Sequence, residues 1–262
     1  MEPLLFTLYA TGYTFAMTAL GSAAVFISKH KPSPLFTKLS LVFAAGIMTA
    51  AAVWSLLTPA IEQAESYGYH PAISVGGGFV LGAAFLILLD KIMPHLHLNS
   101  KEPEGPKSHL SRHSLLFLAV TIHNIPEGMA VGLTMAAAIS SGSPEAFSAA
   151  VALAIGMGIQ NVPEGTAVAL PIHSSGVSRR KAFALGAFSG IVEPIAAVIV
   201  VYLASFFIPL MPWMLAFAAG AMIYVVVEEL IPEASLGEHS DVGTISVLCG
   251  FVMMMILDTS LG

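Results

Sequence analysis

Five glutamates stand inside stretches of the chain that are otherwise apolar: Glu127, Glu164, Glu193, Glu228 and Glu229. Two of them close echoing hexapeptides, His123-Asn124-Ile125-Pro126-Glu127-Gly128 and Gln160-Asn161-Val162-Pro163-Glu164-Gly165. On a helix, His123 and Glu127 lie one turn apart on a single face, and Gln160 and Glu164 repeat the arrangement. Asn124 and Asn161 sit about 100° further round and can serve a neighbouring position. Pro126 and Pro163 remove the amides that would bond the Ile122 and Ile159 carbonyls, and with the following glycines they let the backbone open beside the ligands. Glu193-Pro194, and Glu228-Glu229 ahead of Pro232, set further carboxylates beside prolines. The set is one imidazole, several carboxylates and three amide side chains, without a thiolate. Mixed nitrogen and oxygen donors suit Zn, Fe(II), Mn, Co and Cd, and argue against Cu(I). Two facing glutamates that each reach two positions can bridge a pair of ions.

The surroundings make those acids costly. The chain has 262 residues, 56% of them hydrophobic and only 10% charged, with a mean hydropathy of +0.83. Soluble domains carry roughly 25% charged residues, so lipid is the solvent. A helix crosses the hydrocarbon in about 20 apolar residues. That ruler predicts eight spans, at 5–28, 35–60, 71–93, 114–138, 145–171, 181–207, 212–231 and 242–261. Each ionised acid at the centre of a span costs about 2.5–3.5 kcal/mol, and five together roughly 12–17 kcal/mol before pairing. Lys38, Lys91 and Lys181 stand only at the ends of spans, so no Lys or Arg lies in their interiors to neutralise them. Bound cations or protons are the remaining partners.

All ten basic residues fall in or beside the first, third and fifth linkers: Lys29, Lys31 and Lys38; Lys91, Lys101, Lys107 and Arg112; Arg179, Arg180 and Lys181. Basic linkers stay cytoplasmic, which puts both termini outside. Glu2, Glu62, Glu65, Glu145 and Asp258 then form an acidic outer side that concentrates cations. Asp90 and Asp258, at helix ends, read as interfacial. The third linker, about 94–113, is a cytoplasmic loop with four histidines, read as ordinary solvated loop residues. The lone Cys249 leaves no disulfide to form, and the net charge of -6 is too mild to imply a nucleic-acid partner. No linker is long enough for a separate soluble domain, so residues 1–262 form one transmembrane unit.

An internal repeat is visible. Phe43-Ala-Ala-Gly46-Ile-Met48 on helix 2 returns as Phe217-Ala-Ala-Gly220-Ala-Met222 on helix 7. Ile73-Ser-Val75 with Gly78-Phe-Val80 on helix 3 returns as Ile245-Ser-Val247 with Gly250-Phe-Val252 on helix 8. Five crossings separate each helix from its copy, so the copies run in opposite directions. The expected fold is all-α, eight transmembrane helices in a 3+2+3 inverted-repeat arrangement, a pattern common among transporters.

At these residues the sequence resembles the ZIP family of metal transporters, in its prokaryotic GufA-like branch. The paired hexapeptides, Glu193-Pro194 and the repeat carry the resemblance across essentially the whole chain. The resemblance implies a divalent-metal importer of the bacterial inner membrane, a homodimer, with no resident cofactor. It implies two bound ions bridged by Glu127 and Glu164. His123, Gln160 and Met48 would line one position; Asn124, Asn161 and Glu193 would line the other. It also implies an elevator-type movement of helices 1, 4, 5 and 6 against 2, 3, 7 and 8. Two departures stand out: Asn161 where related members often carry Asp, and Glu228-Glu229 where many carry His-Glu.

Other classes fit less well. An intramembrane zinc protease would need His-Glu-x-x-His, which is absent. A di-iron oxidase needs several facing histidines, and the spans offer only His123. A proton-coupled exchanger or exporter using the same acids is the main alternative.

Overall fold

A computed structural model describes residues 2–28, 34–96, 105–233 and 241–261. Among them there is no β-strand, and eight helices are long and apolar enough to cross a membrane. They are α1 (Leu4–Ile27), α2 (Thr37–Ser66), α3 (Pro71–Ile92), α4 (Ser114–Ser141), α5 (Pro144–Ser174), α6 (Arg179–Phe206), α7 (Ile208–Leu230) and α8 (Asp241–Leu261). The eight expected spans are all present, several longer than hydropathy alone indicated. α2 runs on through Pro59 to Ser66, the proline following closely on a π-helical turn.

Apolar side chains cover the outside, among them Ile73, Val80, Tyr202, Phe206 and Ile245. That is the surface lipid requires. Inside, Leu56, Leu133, Leu153, Met157, Leu215, Met222 and Met254 are fully buried. The helices pair most closely as α1 with α5, α4 with α6, α2 with α8 and α3 with α7. Glycines make these contacts backbone-close: Gly21 and Gly165 join α1 to α5, and Gly128 joins α4 to α6. Gly46 and Gly250 join α2 to α8, and Gly82 and Gly220 join α3 to α7. A Cβ at any of them would strike a carbonyl of the partner helix. Where α5 meets α8, by contrast, Gly156 faces the Met254 side chain.

α4 and α5 form a hairpin. Ser111 caps the start of the first helix, its Oγ accepting from Ser114 N at 3.2 Å. Gly142 ends that helix at φ 66°, a left-handed conformation that glycine adopts freely. Ser143 then caps the next, accepting from Ala146 N at 3.1 Å, with Pro144 in its first turn. Contrary to expectation, the backbone does not open at the site prolines: both helices run unbroken through Pro126 and Pro163. The break is in α6, which stops at Ser189 and resumes at Val192. α2 and α7 each contain a π-helical turn, Ala52–Leu57 and Val226–Leu230.

Candidate metal centre

The polar residues of α4, α5 and α6 meet in the middle of the bundle. Asn124, Glu127, Gln160, Asn161 and Glu193 are essentially inaccessible to solvent, and His123 and Glu164 nearly so. Helical periodicity brings the α4 and α5 groups to one seam, and Gly128 lets α6 come close enough to add Glu193. The break in α6 leaves the Ser189 carbonyl without a helical partner, and Asn124 Nδ2 donates to it at 3.0 Å. Gln160 Nε2 donates to Glu127 Oε2 at 2.7 Å and to Asn161 Oδ1 at 2.7 Å. Asn161 Nδ2 donates to Glu193 Oε1 at 2.9 Å and to the Thr14 carbonyl at 3.2 Å. Thr18 Oγ1 reaches the same Glu193 oxygen at 3.4 Å.

Five buried oxygens of this group have no hydrogen-bond partner: Asn124 Oδ1, Glu127 Oε1, Gln160 Oε1, Glu164 Oε2 and Glu193 Oε2. A buried acceptor left unsatisfied costs about 1–3 kcal/mol, more when charged. Several together on neighbouring helices form the donor set a hard or borderline cation would satisfy. The chain's one cysteine, Cys249, is exposed on α8.

A second group adjoins it. One ligand atom from each of Asp90, His123 and Glu229 lies within 4.8 Å of the others, and His123 Nε2 contacts Glu229 Oε1 directly. Asp90, read as interfacial, is buried, and Tyr224 on α7 donates its hydroxyl to Asp90 Oδ2 at 2.6 Å. His95, read as a solvated loop residue, is also buried, its Nε2 3.9 Å from Asp90 Oδ1 and its Nδ1 2.9 Å from the Met93 carbonyl. Asp258, likewise read as interfacial, is buried and accepts from Ser55 Oγ at 3.1 and 2.9 Å.

One cavity touches the centre and another lies apart from it. A pocket of about 30 Å³ touches His123, Glu164 and Glu229 beneath Leu41, Leu116 and Leu230. A cavity of about 510 Å³ lies toward the other end, its polar lining residues including Ser55, Glu62, Thr134, Ser143, Glu145 and Asp258. Of the site residues expected from sequence, His123, Asn124, Glu127, Gln160, Asn161, Glu164, Glu193 and Glu229 gather as described. Glu228 is exposed beside the buried Glu229, and Met48 is fully buried in the apolar core. His97 and the rest of 97–104 in the third linker lie outside the described residues. Sequence reasoning missed Asp90, Tyr224 and His95. The available signal was an acid and a histidine five residues apart at the end of α3.

The chain matches the family model of the ZIP Zinc transporter over residues 4–115 and 97–258. It is 38% identical to human Zinc transporter ZIP11, over 97% of this chain and 97% of that protein. It is 41% identical to Zinc transporter GufA of Myxococcus xanthus, over 80% of this chain and 81% of that protein. With Zinc transporter ZIPB of Bordetella bronchiseptica it shares 36% identity over 95% of its own length and 79% of the relative's. The chain therefore belongs to the ZIP zinc transporter family.

Proposed function

We propose that this protein imports divalent transition-metal ions, zinc foremost, into the cytoplasm of the bacterial cell through the centre on α4 and α5. The observation that carries the reading is the set of unpaired buried oxygens on Asn124, Glu127, Gln160, Glu164 and Glu193. A membrane protein gains nothing from such a set unless a cation visits it. His123, Glu127, Gln160 and Glu164 form the first position, with Met48 as a further candidate; Asn124, Asn161 and Glu193 surround the second position that the resemblance implies. Asp90, His123 and Glu229 offer the next foothold, and the small pocket beside His123 and Glu164 joins the two groups. Cations collect first in the acidic outer cavity at Glu62, Glu145 and Asp258.

Movement follows the packing. Backbone-close glycine contacts hold α1, α4, α5 and α6 in pairs and α2, α3, α7 and α8 in pairs, while side chains such as Met254 fill the seam where α5 meets α8. This supports an elevator-type displacement of one set against the other, a form of alternating access. The same pairing supports the inverted repeat, since exchanging helices 1–3 for 6–8 and 4 for 5 turns each close pair into another. The two π-helical turns start 174 residues apart, the offset of Gly46 and Gly220. Both termini outside and a homodimeric assembly complete the reading, the first resting on the basic linkers.

The test is zinc and cadmium uptake into proteoliposomes, wild type beside Glu127→Ala/Glu164→Ala, with protein orientation checked. Saturable uptake lost in the variant supports the reading. Equal uptake by both proteins overturns the assignment of the site. A proton gradient that drives efflux instead would favour the exchanger.

A further inference from the structure

Asn161 has no free donor. Its amide nitrogen carries two hydrogens, one directed at Glu193 Oε1 and one at the Thr14 carbonyl. Its oxygen accepts from Gln160 Nε2, whose other hydrogen goes to Glu127 Oε2. The orientation of the Asn161 amide is fixed by these neighbours. Turned over, its nitrogen would face the Gln160 donor, and its oxygen would face two acceptors, the Thr14 carbonyl and the Glu193 carboxylate. A cation between Asn161 and Glu193 would therefore meet an NH₂ group, which has no lone pair to give.

One of the two bridging carboxylates is partly engaged as well. Glu127 Oε2 accepts from Gln160, leaving Oε1 as its one unpartnered oxygen. At the second position Asn124 Oδ1 and Glu193 Oε2 remain unpaired, with Glu164 as the remaining bridge, three donors in all. Zinc takes about four ligands. On the other side Glu127 Oε1, Gln160 Oε1 and Glu164 Oε2 stand free, with the His123 ring one turn from Glu127.

We infer that the centre carries a single metal ion, on the side of His123, Glu127, Gln160 and Glu164, rather than the two that the family resemblance implies. Asn161 is a positioning residue. It ties α1, α5 and α6 together through Thr14 and Glu193, and through Gln160 it holds the unused oxygen of Glu127 away from the ion. This inference rests on the centre being the metal site.

The experiment counts zinc per protein by mass spectrometry after equilibrium dialysis of the full-length protein. Wild type and Asn161→Asp are each compared with the same chain also carrying Glu127→Ala/Glu164→Ala. The difference within each pair counts ions at the centre and cancels those held elsewhere. One ion is expected in the wild-type background. Two are expected with Asn161→Asp, which replaces the donor by a ligand oxygen and releases Glu193. A difference of two in wild type overturns the single-ion centre, and a difference of one in both backgrounds overturns the role of Asn161. A difference of zero in the wild-type pair instead removes the centre as the metal site, and with it the proposed function. Should Asn161→Asp fail to fold, X-ray absorption on zinc-loaded wild type decides alone. A metal–metal vector at about 3.5–4 Å overturns the inference, and its absence upholds it.

Discussion

Gly128→Ala tests whether the approach of α4 to α6 sets the centre. A Cβ there would stand 2.5 Å from Glu193 Cα and 2.7 Å from its carbonyl carbon. Non-bonded carbons settle at about 3.5–4.0 Å, so the two helices must part by about 1 Å. Overpacking of this kind costs about 1–3 kcal/mol, which a bundle with this much buried surface survives. The centre does not. Metal–ligand distances hold to about ±0.2 Å, and the shift falls on Glu127, the preceding residue, and on Glu193 with its bond to Asn161. Misplacement by about 1 Å costs on the order of 100-fold where rate depends on position. Zinc uptake into proteoliposomes is expected to drop at least about tenfold, beyond any loss of folded protein measured by size exclusion and thermal melting. Gly76→Ala on α3 is the matched control, since its Cβ meets nothing within 4 Å and uptake should stay at the wild-type level. If Gly128→Ala transports as fast as Gly76→Ala, the helix contact does not position the centre.

Other outcomes follow from single contacts. Tyr224→Phe removes a hydrogen bond to the Asp90 carboxylate worth about 1.5–3 kcal/mol; transport should slow about tenfold or more, approaching Asp90→Asn, and an unchanged rate removes the Asp90 cluster from the route. His97→Ala, in the third linker, should leave most zinc uptake intact, and its loss would make that loop part of the pathway. Neutralising the outer cavity with Glu62→Gln/Glu145→Gln should raise the zinc concentration at half-maximal uptake while sparing the maximal rate; a fall in the maximal rate alone would contradict a capture role. With Cys249 replaced, a cysteine at position 2 should react with an impermeant maleimide on intact cells, and one at position 109 only after lysis. The reverse result would invert the orientation.

The hexapeptides on α4 and α5 were legible because a helix turns spacing into direction: positions four apart share a face whatever surrounds them. The eight spans were legible because lipid demands long apolar runs. Asp90 was not, since its position beside Lys91 at a helix end reads as a boundary, and its hydrogen-bond partner is a tyrosine 134 residues away. Nor did the prolines behave as local rules suggest. Pro126 and Pro163 stay inside unbroken helices, held by neighbours at Gly128 and Gly165. Pro194 instead falls in the first turn after the break in α6, where its missing N–H is no loss. Between Glu228 and Glu229 the sequence offered no choice; the turn that carries them decides it.

That turn behaves like a slipped tooth in a gear. A π-helical turn holds one residue more than an α-helical turn, so every side chain beyond it is set back by one position, about 100° of rotation. Val226–Leu230 carries both acids, and in this setting Glu229 meets His123 while Glu228 is left outside. Were the extra residue absorbed into regular spacing, the wall would present a different carboxylate without any sideways travel of α7. The turn thus selects which of two adjacent acids faces the centre.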